Sequence, residues 1–145
     1  MSAITFVDGG SRSFTSFQDK ARVNPEYGEM LSKVSPEESL GGSFVHHTGS
    51  QTQPQLFEVQ FPPNAPVAAH AHTEDEIIVV MEGSLRFGKR IFGAGSSIFI
   101  PKMTLYSFAA GAEGVTFLNF RPRGGSGVLF KEEFLQARQQ DESEG

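Results

Sequence analysis

From Gly41 to Gly127, short apolar or alternating runs are separated every several residues by glycine or proline. That spacing predicts a β-sandwich or barrel rather than a helical bundle. The clearest runs are Leu56–Phe61, Glu76–Met81, Ser84–Phe87, Ser97–Ile100 and Val115–Phe120. In the first, Phe57, Val59 and Phe61 share one face at period two. Glu82-Gly83-Ser84 predicts a tight reversal, Gly93-Ala94-Gly95 a second one, and Pro101 the end of the strand that carries Ile98 and Ile100.

The ends differ from the middle. Residues 1–40 mix short apolar pieces with Pro25, Pro36 and several charges, weak strand or loop signals that predict an arm packed on the barrel (41–128) or on a partner subunit. Near the C-terminus, Phe130–Arg138 has the periodicity of a short helix. Phe130 and Phe134 fall on one face, with acids early and Arg138 late, as the helix dipole favours. Within 129–145, the last residues, Asp141–Gly145, are expected to be a frayed, solvated end.

Composition narrows the chemistry. A chain of 145 residues predicts one domain with a real core. The absence of cysteine excludes disulfides, thiolate metal sites and thiol nucleophiles. A net charge of −5 argues against nucleic acid as a partner. No apolar run is long enough for a membrane span. The opening residues lack the basic and apolar regions of a signal peptide, so a cytoplasmic location is expected.

All four histidines come in two pairs, His46–His47 and His70–His72. On a strand, His70 and His72 point to the same side and can converge on one ion. Thr73-Glu74-Asp75 can turn the chain so that Glu76 adds a carboxylate from the neighbouring strand. His46 and His47 are adjacent, so at most one faces inward; both are read as structural or rim residues. Glu74 and Asp75 read as solvated turn residues, with Glu74 near enough to serve as a substitute carboxylate. Arg121 and Arg123 flank Pro122 and form either a clamp for a substrate carboxylate or a solvated strand exit.

His70, His72, Glu76 and Gly83 have the spacing of the first cupin motif, G-x5-H-x-H-x3-E-x6-G, with Asn64 in place of the leading glycine. Gly95 and Pro101 begin the second motif, G-x5-P-x-G-x2-H-x3-N. There Met103 replaces the inner glycine, Tyr106 the histidine ligand and Ala110 the asparagine. Over about residues 60 to 121 the chain therefore resembles the cupin family. The resemblance implies an all-β fold, a single jelly-roll barrel (a double-stranded β-helix) with a metal inside. It also implies a homodimer, since cupins commonly pair through an N-terminal arm.

By that resemblance His70, His72, Glu76 and Tyr106 are the candidate metal ligands. Two histidines and a carboxylate suit non-haem iron with open positions; manganese, nickel and zinc are alternatives. Tyr106 is a ligand, once a metal has drawn off its proton, an acid/base or hydrogen-bonding group beside it, or a plain pocket-lining aromatic with a satisfied hydroxyl. Phe87, Phe99, Phe108, Phe117 and Met81 lie in the barrel strands, and some must line a small, mostly apolar cavity. Phe87, Phe108, Phe117 and Asn119 are the candidate substrate contacts. Asn119 lines the cavity if it faces in with Phe117, and is solvated if it faces out. The expected function is a metal-binding cupin acting on a small organic molecule, most economically a dioxygenase-type oxidoreductase. A non-catalytic ligand-binding barrel, or a metal-dependent lyase, isomerase or decarboxylase, uses the same parts.

Overall fold

The computed structural model describes residues 3–125 and 127–144. The expectations that touch Met1, Ser2, Ser126 and Gly145 lie outside the described residues. Among the described residues, nine antiparallel strands form the barrel: β1 (Thr15–Ser16), β2 (Gly42–His47), β3 (Gln55–Phe61), β4 (Pro66–His72), β5 (Glu76–Phe87), β6 (Arg90–Gly93), β7 (Ser97–Ile100), β8 (Tyr106–Arg121) and β9 (Val128–Phe130). The long strands β5 and β8 each serve two sheets. Their first and last halves respectively pair with each other and join β7 to β3, β2 and β1. The second half of β5 carries β6, and the first half of β8 pairs with β4, which carries β9. The result is a jelly-roll barrel. Among the described residues, no helix is long and apolar enough to cross a membrane.

The sheets change direction where β5 and β8 bend together. Gly83 and Gly114 have φ of +71° and +82°. A Cβ on Gly83 would stand 2.1 Å from the Gly114 carbonyl oxygen, so only glycine permits this approach. Glu82-Gly83-Ser84 is therefore a bulged bend within β5, not the expected reversal. The strand reverses later, at Gly88, where Phe87 pairs with Arg90. Gly93-Ala94-Gly95 does turn the chain, and β7 ends before Pro101.

Among its described residues the arm carries three short α-helices beside the strand β1 and irregular segments, where only weak strand or loop signals were expected. After a short 3-10 turn at Gly9–Ser11 come α1 (Phe17–Val23), α2 (Pro25–Leu31) and α3 (Pro36–Ser39). Pro25 and Pro36 open helices at a position where no amide hydrogen is needed. Ser16, Asn24 and Ser35 cap them through side-chain oxygens. Phe17 packs against Phe61 of the core, and Arg12 pairs at 2.9 Å with the buried Glu58, which also accepts from His46 at 2.8 Å. At the other end α4 (Lys131–Glu144) runs on through residues expected to fray. Phe130 belongs to β9 and donates its amide to Glu133 at 2.6 Å, while Phe134 is buried.

Candidate functional site

The barrel interior changes character along β8. Phe108, Ala110, Val115 and Phe117 face a core shared with Val59, Phe61, Val67, Val80 and Leu85. Beyond Phe117, period-two alternation brings Asn119 and Arg121 to the same inner face, 4% and 8% exposed. The outward option for Asn119 and the solvated-exit option for Arg121 are thereby overturned. Arg123 takes the other course: it is exposed and pairs with Glu74 at 3.2 Å, while Asp75 accepts from the Lys102 amide at 2.8 Å.

On β4 a bulge does the aiming. Val67 pairs with Phe108 and His70 with Tyr106, so one extra residue lies on β4 between them. That shift turns both His70 and His72 inward beyond Val67. The bulge is held from two sides: the Ala68 amide donates to Glu38 of α3 at 2.7 Å, and the Ala68 carbonyl accepts from His70 Nδ1 at 2.7 Å. Glu38 was not singled out from the sequence. Its only signal is local, the Ser35-Pro36-Glu37-Glu38 helix start in which Ser35 Oγ accepts from the Glu38 amide.

The four residues proposed from the motifs are brought together. Tyr106 donates to Glu76 Oε1 and lies 3.1 Å from His70 Nε2. Since His70 Nδ1 must donate to the Ala68 carbonyl, the neutral imidazole presents a lone pair at Nε2. The phenol thus has one proton for two acceptors. Glu76, 1% exposed, also accepts from Asn119 Nδ2 at 3.1 Å and from Arg121 Nε and NH2 at 3.4 and 3.3 Å. Arg121 further donates to Gln55 Oε1 at 3.2 Å and to His72 Nε2 at 3.3 Å, with its carbon 4.9 Å from the Phe57 ring centre.

These contacts set the charges. Burial would raise the Glu76 pKa, but neighbouring positive charge and the hydrogen bonds from Tyr106 and Asn119 hold it below its ordinary value. Burial, followed by Arg121, lowers His72 to about 3, and burial also lowers His70. Burial and then the Glu76 charge push the Tyr106 phenol up. The floor is therefore one ion pair, Glu76 and Arg121, among neutral groups. Among the described residues, Asn119 Oδ1 and His72 Nδ1 are buried without a hydrogen-bond partner.

The same distances decide whether a metal ion fits. His72 Nε2 and Glu76 Oε2 are 3.8 Å apart, and Arg121 NH2 is 3.3 Å from each. An ion about 2.1 Å from both atoms would lie within roughly 3.6 Å of that nitrogen. At an effective dielectric near 20, a divalent ion there meets a repulsion of about 9 kcal/mol or more. A dedicated structural zinc site gains only about 10–16 kcal/mol in all. Among the described residues, no group of three His, Asp or Glu side chains is able to hold a metal ion. The donor types suit a metal, but the space between His72 and Glu76 belongs to Arg121, and as arranged the set does not fit one.

Above the floor lies a cavity of about 360 Å³. Phe57, Phe108, Phe117, Tyr106 and Ile78 line it from the barrel, and Phe17, Tyr27, Met30, Leu31 and Val34 cover it from the arm. Phe87 stacks behind Tyr106 and Phe108 at 6.0 and 5.9 Å. Phe99 and Met81 point outward and are 62% and 49% exposed, so neither lines it.

No family model matches the sequence, and no curated protein matches it. Solved structures do match. An acetylacetone dioxygenase from Acinetobacter johnsonii is 12% identical, with 92% of this chain and 83% of that one covered at a TM-score of 0.64. KdgF from a Halomonas species is 16% identical, covering 85% and 97% at 0.58. An RmlC-like cupin from Shewanella frigidimarina is 15% identical, covering 91% and 96% at 0.56. At these identities the likeness is one of fold.

Proposed function

We propose that this chain, which has the cupin fold, binds a small uncharged organic molecule that donates hydrogen bonds: an alcohol, phenol or enol on an apolar frame. The observation that carries this reading is the surplus of acceptors on the cavity floor. The Tyr106 proton cannot serve both Glu76 Oε1 and His70 Nε2, and Asn119 Oδ1 has no donor. A ligand hydroxyl supplies what is missing, since an unmet buried acceptor costs about 1–3 kcal/mol. A carboxylate is disfavoured, because it would stand beside the Glu76 charge and four of the five Arg121 N–H donors are already committed. The aromatic walls take the apolar frame, and the volume lies at the small end of ligand pockets.

Calorimetry or thermal shift with phenol, anisole and benzoate tests this. Phenol is expected to bind about five- to a hundredfold more tightly than anisole, which lacks the donor. Equal binding of anisole, or tighter binding of benzoate, overturns the proposal.

A second reading, a metal-dependent enzyme of dioxygenase type, draws on the convergence of His70, His72, Glu76 and Tyr106 on one wall. It takes iron, or manganese, nickel or zinc, at those residues, and it requires Arg121 to move away. Oxygen uptake by iron-supplied protein with phenols or enols as substrates would support it; none above the metal-free rate would remove it. For either reading we propose a homodimer. Phe99, Ile77 and Phe120 stand in one row across β7, β5 and β8, each more than a third exposed. A monomer in light scattering at micromolar concentration would refute that assembly.

A further inference from the structure

We infer that the Arg121 guanidinium is the resident cation of this barrel, standing where a metal ion would otherwise join His72 to Glu76, and that it keeps divalent metals out. The inference concerns the same floor as the ligand reading but holds whatever organic molecule enters the cavity, so the two fail separately.

Three observations support it. First, one nitrogen, Arg121 NH2, contacts both atoms a metal would need, His72 Nε2 and Glu76 Oε2. Second, three further contacts hold the guanidinium. Nε reaches the same carboxylate oxygen, NH1 is held by Gln55 at 3.2 Å, and the face lies over Phe57. A metal would have to break the ion pair, the Gln55 bond and the aromatic contact before it met its ligands. Third, the position of the usual third histidine holds Tyr106, a protonated phenol that donates to Glu76 in place of a neutral imidazole nitrogen. A carboxylate that accepts from tyrosine, asparagine and arginine at once has little left for an ion. Arg121 sits at the end of the alternation that runs Phe117, Asn119, Arg121, so its inward placement follows from strand geometry and not from a flexible loop.

The test is metal content by mass spectrometry and Ni(II) and Zn(II) titration by calorimetry. Wild type is compared with Arg121→Gln, whose amide can still donate to Glu76, and with Arg121→Gln/His72→Ala. Wild type purified from metal-supplemented medium is expected to carry far less than one equivalent. Arg121→Gln is expected to bind Ni(II) at least a hundredfold more tightly, as removing a unit positive charge from beside the ion requires, and the double variant to lose that gain. If Arg121→Gln does not fold alone, its refolding on Ni(II) addition, followed by circular dichroism, reads the same property. A stoichiometric wild-type metal that His72→Ala abolishes overturns the inference. So does an Arg121→Gln protein that neither binds nor refolds with metal.

Discussion

The apolar half of the barrel, around Leu85, Ala110 and Phe117, and the polar floor, around Glu76 and Arg121, are built on the same strands. On β5 the inner face carries Glu76, then Ile78 and Val80, then Leu85; on β8 it runs from Phe108 and Ala110 through Phe117 to Asn119 and Arg121. In the apolar half each side chain contributes by the area it removes from water, largely independently of which neighbour removes it. On the floor each buried charge needs its particular partner, because a buried charge without one costs several kcal/mol. One end therefore tolerates conservative repacking, and the other tolerates change only in matched sets. The polar end is also the one that can discriminate between ligands.

The sharpest way to break that contrast is to halve the ion pair. Glu76→Gln leaves Arg121 buried and unpaired and is expected to cost about 3–5 kcal/mol in urea unfolding. Glu76→Gln with Arg121→Met should recover more than half of that loss, and simple additivity would show that the two do not act as a pair. In the apolar half, Leu85→Ala should cost about 3 kcal/mol through the cavity it leaves. Combined with Glu76→Gln it should add, within about 0.5 kcal/mol, because no polar partner is shared.

Glu38 lies between the two regimes, since it props the bulge that turns the histidines inward. Burial raises its pKa to about 7, against an ordinary value of 4.5. The folded state keeps a proton that the unfolded chain has lost, so stability falls as pH rises from about 4.5 to 7 and stays lower above that. Glu38→Gln keeps an acceptor for the Ala68 amide without this loss. Its thermal midpoint should exceed wild type at pH 8 and match it near pH 4; a gap of the same size at both would remove Glu38 as the source. The smallest expected effect is at Met103, a non-glycine residue at φ +57°. Met103→Gly should stabilise by about 0.5–1 kcal/mol, the relief of a left-handed conformation less the added freedom of glycine in the unfolded chain. No gain would mean that Met103 packing outweighs its strain.

Met103 and Asn64 also show how the sequence could be read. Both stand where the motifs carry glycine, and both adopt positive φ, +57° and +60°, so the turn forms here without glycine. The strands and the shared side of His70 and His72 were legible because period two and turn residues are local properties, whereas the bulge that turns that side inward is held from α3. The bend at Gly83 reads locally as a reversal, because its reason lies across the sheet, at the Gly114 carbonyl. The helical arm was missed because two of its helices open on proline, which serves as a helix start as readily as a break.

The sequence by itself determined the barrel's alternation and which chemically active side chains it carries: two histidines, a carboxylate and a phenol at cupin spacing. Only the tertiary structure decided what they do to one another. Arg121 lies 45 residues beyond Glu76 and 49 beyond His72 in the chain, yet its guanidinium meets both across the barrel. Pairing β5 and β4 with β8 sets that meeting, and no local pattern encodes it. Whether the donor set receives a metal ion or an arginine depends on the charge that closes the far side, and that charge comes from another strand.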